Sequence, residues 1–246
     1  MYEFLRQEAE LTKPYIMPVP FFNVLNGGVH SGNLMAFQEF MIAPVGATSI
    51  THAVQMGSDV YQMLKTVIKS KFGGSGKLSS SSPYVSPLTF PAIGVGDEGG
   101  FAPPISKPHE ALDLLVTAIE KCGYTRKVKI GLDPASGEFF RSGIYDLGFK
   151  DESSKASDTR MSATQLSQLY QDLIDKYPIV LLEDPFAEDD WAAWTKFNKT
   201  CKIELVGDDL LATNIDRIKI AQEKKACNSL LLKINQIGTI TEAIEA

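Results

Sequence analysis

Three carboxylates and one lysine recur at a common spacing in the second half of this 246-residue chain. Each lies at or next to the end of a short apolar run: Asp133 in VKIGLD (128–133), Glu183 in IVLLED (179–184), Asp208 in IELVGDD (203–209) and Lys233 in LLLK (230–233). Glu183 to Asp208 and Asp208 to Lys233 are each 25 residues, and Asp133 to Glu183 is twice that. Three acids at the ends of successive buried strands would meet at one mouth, where they would repel each other and resist ionisation. A hard divalent cation such as Mg²⁺ resolves that conflict, taking carboxylate oxygens and leaving places for water and substrate. A partly desolvated lysine beside a cation loses its proton more easily and becomes available as a general base. Taken singly, each acid equally fits a loop carboxylate or a helix N-cap, and Lys233 fits a lysine snorkelling from a strand end. The shared rhythm favours the metal.

The elements that must position these groups follow from the same runs. Apolar residues on successive positions fit strands buried on both faces, as in a parallel sheet. Helical patterns alternate with them. One follows the Ser162-x-x-Gln165 capping box with Leu166, Leu169, Tyr170, Leu173 and Ile174 on one face, and stops before Pro178. Another runs from about His109 to Lys121, with Gly123 beyond its end. Units of about 25 residues give a doubly wound sheet or a (β/α) barrel. Charges at C-terminal strand ends suit either fold. No glycine fingerprint opens a helix after a first strand, so the α/β barrel is favoured. Adding PVPFFNVL (18–25) and FQEFMIAP (37–44) gives about six strands where a closed barrel needs eight, which predicts open sheet edges. A last helix starts at the Thr239-x-x-Glu242 box and reaches the final residue. A hairpin-like excursion is expected over Arg141–Lys155.

Glycine-rich loops in the first half hold further chemistry. Asn26-Gly27-Gly28-Val29-His30-Ser31-Gly32 and Gly96-Asp97-Glu98-Gly99-Gly100 set His30 and Glu98 where backbone can approach a ligand closely. Such glycine-flanked acids also occur in plain turns. Between the two loops, about 73–93 is rich in Ser, Gly and Pro and lacks any period. The net charge of −6 disfavours nucleic acid and anionic membranes as partners. No run is long enough for a membrane span. The start of the chain lacks a secretory or transit pattern, and the three cysteines form no CxxC pair, so a reduced, cytoplasmic protein is expected. These groups fit a metal-assisted barrel enzyme that removes a proton α to a carboxylate, without defining its substrate.

The strings NVLNGGVHSGN, QEFMIAP, VGDEGGFAP, KIGLDPASGEFF, IVLLEDPFAEDDW, VGDDLLATN and LLLKINQIGT resemble the enolase (phosphopyruvate hydratase) family, in that family's order and spacing. The AEDDW continuation resembles the eukaryotic type. The resemblance implies a TIM-like barrel over 15–246 and a remnant of an N-terminal domain over 1–14, the family's capping domain being almost entirely absent. It also implies a chain that lacks the last two barrel strands and carries an insertion foreign to the family at 73–93. It implies Asp133, Glu183 and Asp208 as ligands of one Mg²⁺, Lys233 as the base toward 2-phosphoglycerate, and Glu98 as the acid with Glu39 in support. His30 would close near the substrate phosphate, and Glu39, Glu183, Asp208 and Lys233 would also touch substrate. Phosphoenolpyruvate would be the product, with Glu98 protonated and Lys233 neutral. Family members are typically homodimers. Without the family's Ser-His-Arg segment, second lysine and second-metal loop, the resemblance implies little or no activity for these 246 residues. That leaves a catalytically silent binding or structural protein as the alternative.

Overall fold

The computed structural model describes residues 1–73, 93–151 and 159–246. Apart from its flanks Gly73 and Ile93, the Ser/Pro-rich insertion lies outside the described residues. Helix α1 spans Tyr2–Glu8, and no residue from 1 to 20 is buried. Strands β1 (Phe22–Asn26) and β2 (Glu39–Ala43) precede two long helices, α2 (Ile50–Phe72) and α3 (Pro108–Lys121). Strand β3 (Lys129–Asp133) leads into a small antiparallel sheet of β4 (Phe140–Arg141), β5 (Ile144–Asp146) and β6 (Arg160–Met161). Then β and α alternate: α4 (Ala163–Lys176), β7 (Ile179–Glu183), α5 (Trp191–Asn198), β8 (Glu204–Gly207), α6 (Ile215–Lys224) and β9 (Ser229–Leu230). Two short helices close the chain, α7 (Ile234–Ile237) and α8 (Ile240–Glu245).

Six strands form the main sheet in the order β1-β2-β3-β7-β8-β9. The first two pairings are antiparallel and the last three parallel. Among the described residues the sheet does not close, so β1 and β9 are edges, as the strand count predicts. The α/β barrel reading is therefore right in class and in its partial strand set.

Local sequence explains the elements. Both capping-box bonds form at the start of α4: Gln165 N–H donates to Ser162 Oγ, and Ser162 N–H donates to Gln165 Oε1. Pro108 opens α3, where its missing N–H has no partner to lose. Helix α2, which the motif reading passed over, buries Ala53, Met56, Val60, Leu64 and Ile68 at helical spacing against the core. The predicted strand LLLK is shorter than expected. Only Ser229 and Leu230 pair with β8, the Leu231 N–H adding one bond to the Gly207 carbonyl at 3.1 Å; the chain then turns as Lys233 N–H donates to Thr213 Oγ1, and among the described residues no strand lies on its far side to extend the ladder.

Beneath the sheet, aromatic rings interlock. Phe37, Phe139, Tyr170, Phe186, Phe197 and Trp194 contact one another with centroids 5.7–6.4 Å apart. Their polar ends are satisfied: Tyr170 Oη donates to the Pro185 carbonyl (3.0 Å), and Trp194 Nε1 to the Ala187 carbonyl (3.1 Å). Both bonds fasten the Asp184–Ala187 turn that leaves β7 beside Glu183.

Candidate active site

Strand direction brings the acids to one place. Asp133 and Glu183 are the last residues of β3 and β7, and Asp208 follows β8 directly. Glu39 arrives differently. It begins β2, which runs antiparallel, so its N-terminal end lies at the same mouth, across from Asp133 on one side and Asn26 on the other. The Gln38 N–H donates to the Asp133 carbonyl at 3.0 Å and continues that ladder.

Asp133, Glu183 and Asp208 are all buried. Burial raises Asp133 well above the usual carboxylate range, and Glu183, Asp184 and Glu39 push it further. Burial also raises Glu183 to about 8, reinforced by Asp184, Asp208 and Glu39. Glu39 is raised to about 7 by burial first and then by Glu98, with which it shares a side-chain hydrogen bond. The charge conflict expected from the sequence is therefore real in the fold.

Lys233 answers part of it. Its Nζ donates to Asp208 Oδ2 at 2.5 Å, while Gln236 Nε2 donates to Asp208 Oδ1 at 3.1 Å. Burial pulls Lys233 down, but the Asp208 hydrogen bond and the charges of Asp208, Glu183 and Asp209 outweigh it, and the net shift is upward. The sequence reading expected a lowered lysine beside a metal. A cation taking those carboxylates would remove the cause of the upward shift.

A tight oxygen cluster also forms from Asp184, Asp208 and Asp209, whose ligand atoms lie within 4.8 Å of one another. Asp184 is already engaged, accepting from Asp208 N–H at 3.1 Å and Asp209 N–H at 2.7 Å. Burial holds it up at about 7 all the same. Those bonds brace Asp184 against the loop that carries Asp208. Both Asp208 oxygens accept, from Lys233 and Gln236, and Asp133 Oδ1 accepts from the Ala135 N–H at 2.8 Å, so a cation would have to displace Lys233 to reach Asp133, Glu183 and Asp208 together. Their all-carboxylate donor set and unrelieved repulsion fit a hard dication. The adjacent acids in the strings LLED and VGDD were the only sequence signal for the brace.

The second group gathers on Glu98. Its Oε1 lies 3.3 Å from His30 Nδ1. Its Oε2 accepts from Asn26 Nδ2 (2.5 Å) and Asn23 Nδ2 (3.0 Å). Asp97 N–H donates to the His30 carbonyl at 3.0 Å, joining the two glycine loops. Lys150, absent from the sequence reading, donates to the carbonyls of Gly28 and Ser31 on either side of His30, and burial lowers it to about 8. Every residue picked out from the sequence thus falls in one region. Glu39 links the two groups, hydrogen-bonded to Glu98 and within the field of Lys233 and Asp208.

Acids at the carboxyl ends of parallel strands, with a lysine ion-paired among them, make a (β/α)-barrel site that could hold a metal ion. Residues 14–246 match the family model described as enolase, C-terminal TIM barrel domain, and the chain belongs to that family.

Proposed function

We propose that this barrel serves the reversible Mg²⁺-dependent dehydration of 2-phosphoglycerate to phosphoenolpyruvate, the hydro-lyase step of glycolysis and gluconeogenesis. One observation carries the reading: Lys233, ion-paired to Asp208, and Glu39, raised to about 7, meet at the same buried carboxylates. Asp133, Glu183 and Asp208 would hold the ion, which when bound supplies positive charge to offset the second negative charge of the enolate.

The chain's own groups divide the proton work. Lys233 Nζ would take the C2 proton once it has given up its own, the carboxylates that hold it charged having passed to the ion, and the electron pair of the C2–H bond goes to the carboxylate side. The Glu98–Glu39 pair gives a proton to the C3 hydroxyl as the C3–O bond breaks, the C2–C3 double bond forms and water leaves. Glu39, raised to about 7, is a suitable source of that proton. His30 sits on the glycine loop beside Glu98 and would approach the phosphate. The division into 1–14 and 15–246, homodimerisation and a cytoplasmic location belong to the same proposal. No helix among the described residues is long and apolar enough to cross a membrane.

A second reading is favoured by the two edges β1 and β9 of the six-stranded sheet: an enolase-like protein retained for binding or structure, without turnover. The rise in ultraviolet absorbance that accompanies phosphoenolpyruvate formation separates them. Turnover that needs Mg²⁺ and is lost in Lys233→Ala supports catalysis. Mg²⁺ binding without any turnover would overturn it and leave the second reading.

A further inference from the structure

Asn26 ends β1 and is completely buried. Its side-chain amide is committed in both directions. Oδ1 accepts from the Gly100 N–H at 2.9 Å, and Nδ2 donates to the Gln38 carbonyl at 3.1 Å. A backbone N–H only donates and a carbonyl only accepts, so this amide has a single allowed orientation, and its NH₂ must face Glu98 Oε2. The main chain of Asn26 adds two bonds, its N–H to the Phe101 carbonyl and its carbonyl from Asn33 Nδ2, both at 2.9 Å.

The glycine loop is moulded to this amide. A Cβ on Gly96 would lie 2.7 Å from Asn26 Cβ, and one on Gly100 would lie 2.7 Å from Asn26 Oδ1. Such a Cβ would also lie 2.8 Å from the His30 carbonyl oxygen at Gly96 and 2.8 Å from Leu25 backbone at Gly100, so glycine is required at both ends of the loop by Asn26 together with the neighbouring main chain. Asn23 gives an independent indication. Its NH₂ also points at Glu98, although its Oδ1 is buried without a partner. An unmade buried bond costs about 1–3 kcal/mol. Turning the Asn23 amide over would set its oxygen against the Glu98 carboxylate, so the carboxylate dictates the orientation.

We propose that Asn26 is the positioning residue for Glu98: its NH₂ pins one carboxylate oxygen so that the other is presented to His30 at the site. Gln38 adjoins Glu39 and Gly100 lies just past Glu98, so the same amide sets the spacing of the two acids. This inference rests on the reading of Glu98 as part of the acid pair and deepens it.

The test is hydrogen–deuterium exchange of the full chain, read on the peptide covering Gly96–Phe101. Asn26→Asp replaces the donor by an acceptor facing two acceptors, and exchange there is expected to quicken about tenfold or more, with α4 unchanged as internal control. Adding Glu98→Gln returns a donor to the pair from the other side. The clash with the Gln38 carbonyl persists, so the double variant is expected to recover in part, exchanging at least about threefold more slowly than Asn26→Asp alone. A merely structural role for Asn26 gives no such rescue, and failure of Glu98→Gln to restore exchange would overturn the proposal. Should Asn26→Asp not fold, Glu98→Leu with Asn26 intact decides: the loop peptide is expected to exchange about tenfold faster, and unchanged exchange refutes the pin. A wild-type chain that makes no phosphoenolpyruvate sinks the proposed reaction while leaving this exchange cycle readable. An active chain without the coupling sinks the role of Asn26 alone.

Discussion

Glu39 and Asp133 face each other across the antiparallel pairing of β2 and β3, one at the start of its strand and the other at the end of its own. This register places a protonatable acid beside the acids proposed for the ion, with only the width of one strand pair between them. It also sets how the site responds to pH. Glu39 at about 7 and Glu183 at about 8 are both raised by burial and by their neighbours.

The sign of the resulting pH effect is fixed. An acid raised in the fold stabilises it while protonated, and that contribution is lost as pH climbs through the raised value. Without divalent cation, the melting temperature is therefore expected to fall as pH rises from 4.5, the unfolded value, and to level off above about 7 for Glu39 and about 8 for Glu183. Mg²⁺ binds the ionised form, so its stabilising shift should be larger at about pH 8 than at about pH 6. Thermal scans with EDTA and with Mg²⁺ check both, and a cation-free chain more stable on the alkaline side would contradict the assignment.

Asp133→Asn removes one buried charge from the cluster and one ligand from the proposed ion. The cation-free protein is expected to gain stability, since repulsion falls, while its thermal response to Mg²⁺ disappears. Differential scanning calorimetry with and without Mg²⁺ reads the two effects in opposite directions. A retained Mg²⁺ response would remove Asp133 from the ligand set.

Lys233→Met is expected to lower exchange of the C2 proton of 2-phosphoglycerate with solvent by roughly 10²- to 10⁴-fold relative to the unaltered chain. Deuterium incorporation followed by NMR isolates that step from loss of water. Equal exchange in both proteins would move the base elsewhere.

Tyr170→Phe tests the support beneath the site. The phenol is fully buried and bridges the Pro185 carbonyl and the Ser136 hydroxyl, each at 3.0 Å. Removing the hydroxyl leaves both groups unpaired, at a cost of about 1–3 kcal/mol. Denaturant unfolding measures it, and a change under a few tenths would mean that water or a repacked side chain replaces the bond.

Ser162→Ala removes the oxygen that caps α4 and is expected to cost about 1 kcal/mol by the same measurement. Thr239→Ala should cost less, because α8 is only six residues long. The reverse ranking would show that α8 contributes more to the fold than its length implies.

What could be read from the residues alone was the part written in local pattern. The apolar runs before Asp133, Glu183 and Asp208 gave parallel strands because such runs have few other uses. The Ser162 box gave the start of α4 because both of its bonds are made within four residues. Glu39 owes its place to an antiparallel register, and spacing along the chain carries no information about which strands pair. The long helix α2 carries Ala53, Met56, Val60, Leu64 and Ile68 at helical spacing, but such spacing does not tie a helix to the site. Asp184 looked like half of an acidic pair, and its role emerged only when the Asp208 and Asp209 amides were seen to point at it. Asn26 lies inside a motif, but the orientation of its amide depends on the Gly100 N–H, 74 residues away.

That separation has a kinetic consequence. The contacts that assemble the site are long in sequence, Asn26 to Glu98 across 72 residues and Lys233 to Asp208 across 25. Loops of such length must close before their contacts can repay the lost chain entropy, which slows folding. During synthesis, β1 and β2 emerge well before β3, the strand that pairs with β2, and spend that interval with apolar faces uncovered. The acid pair would thus mature only after α2, α3 and β3 have left the ribosome, and Lys233 would be the last of the proposed groups to reach its partner.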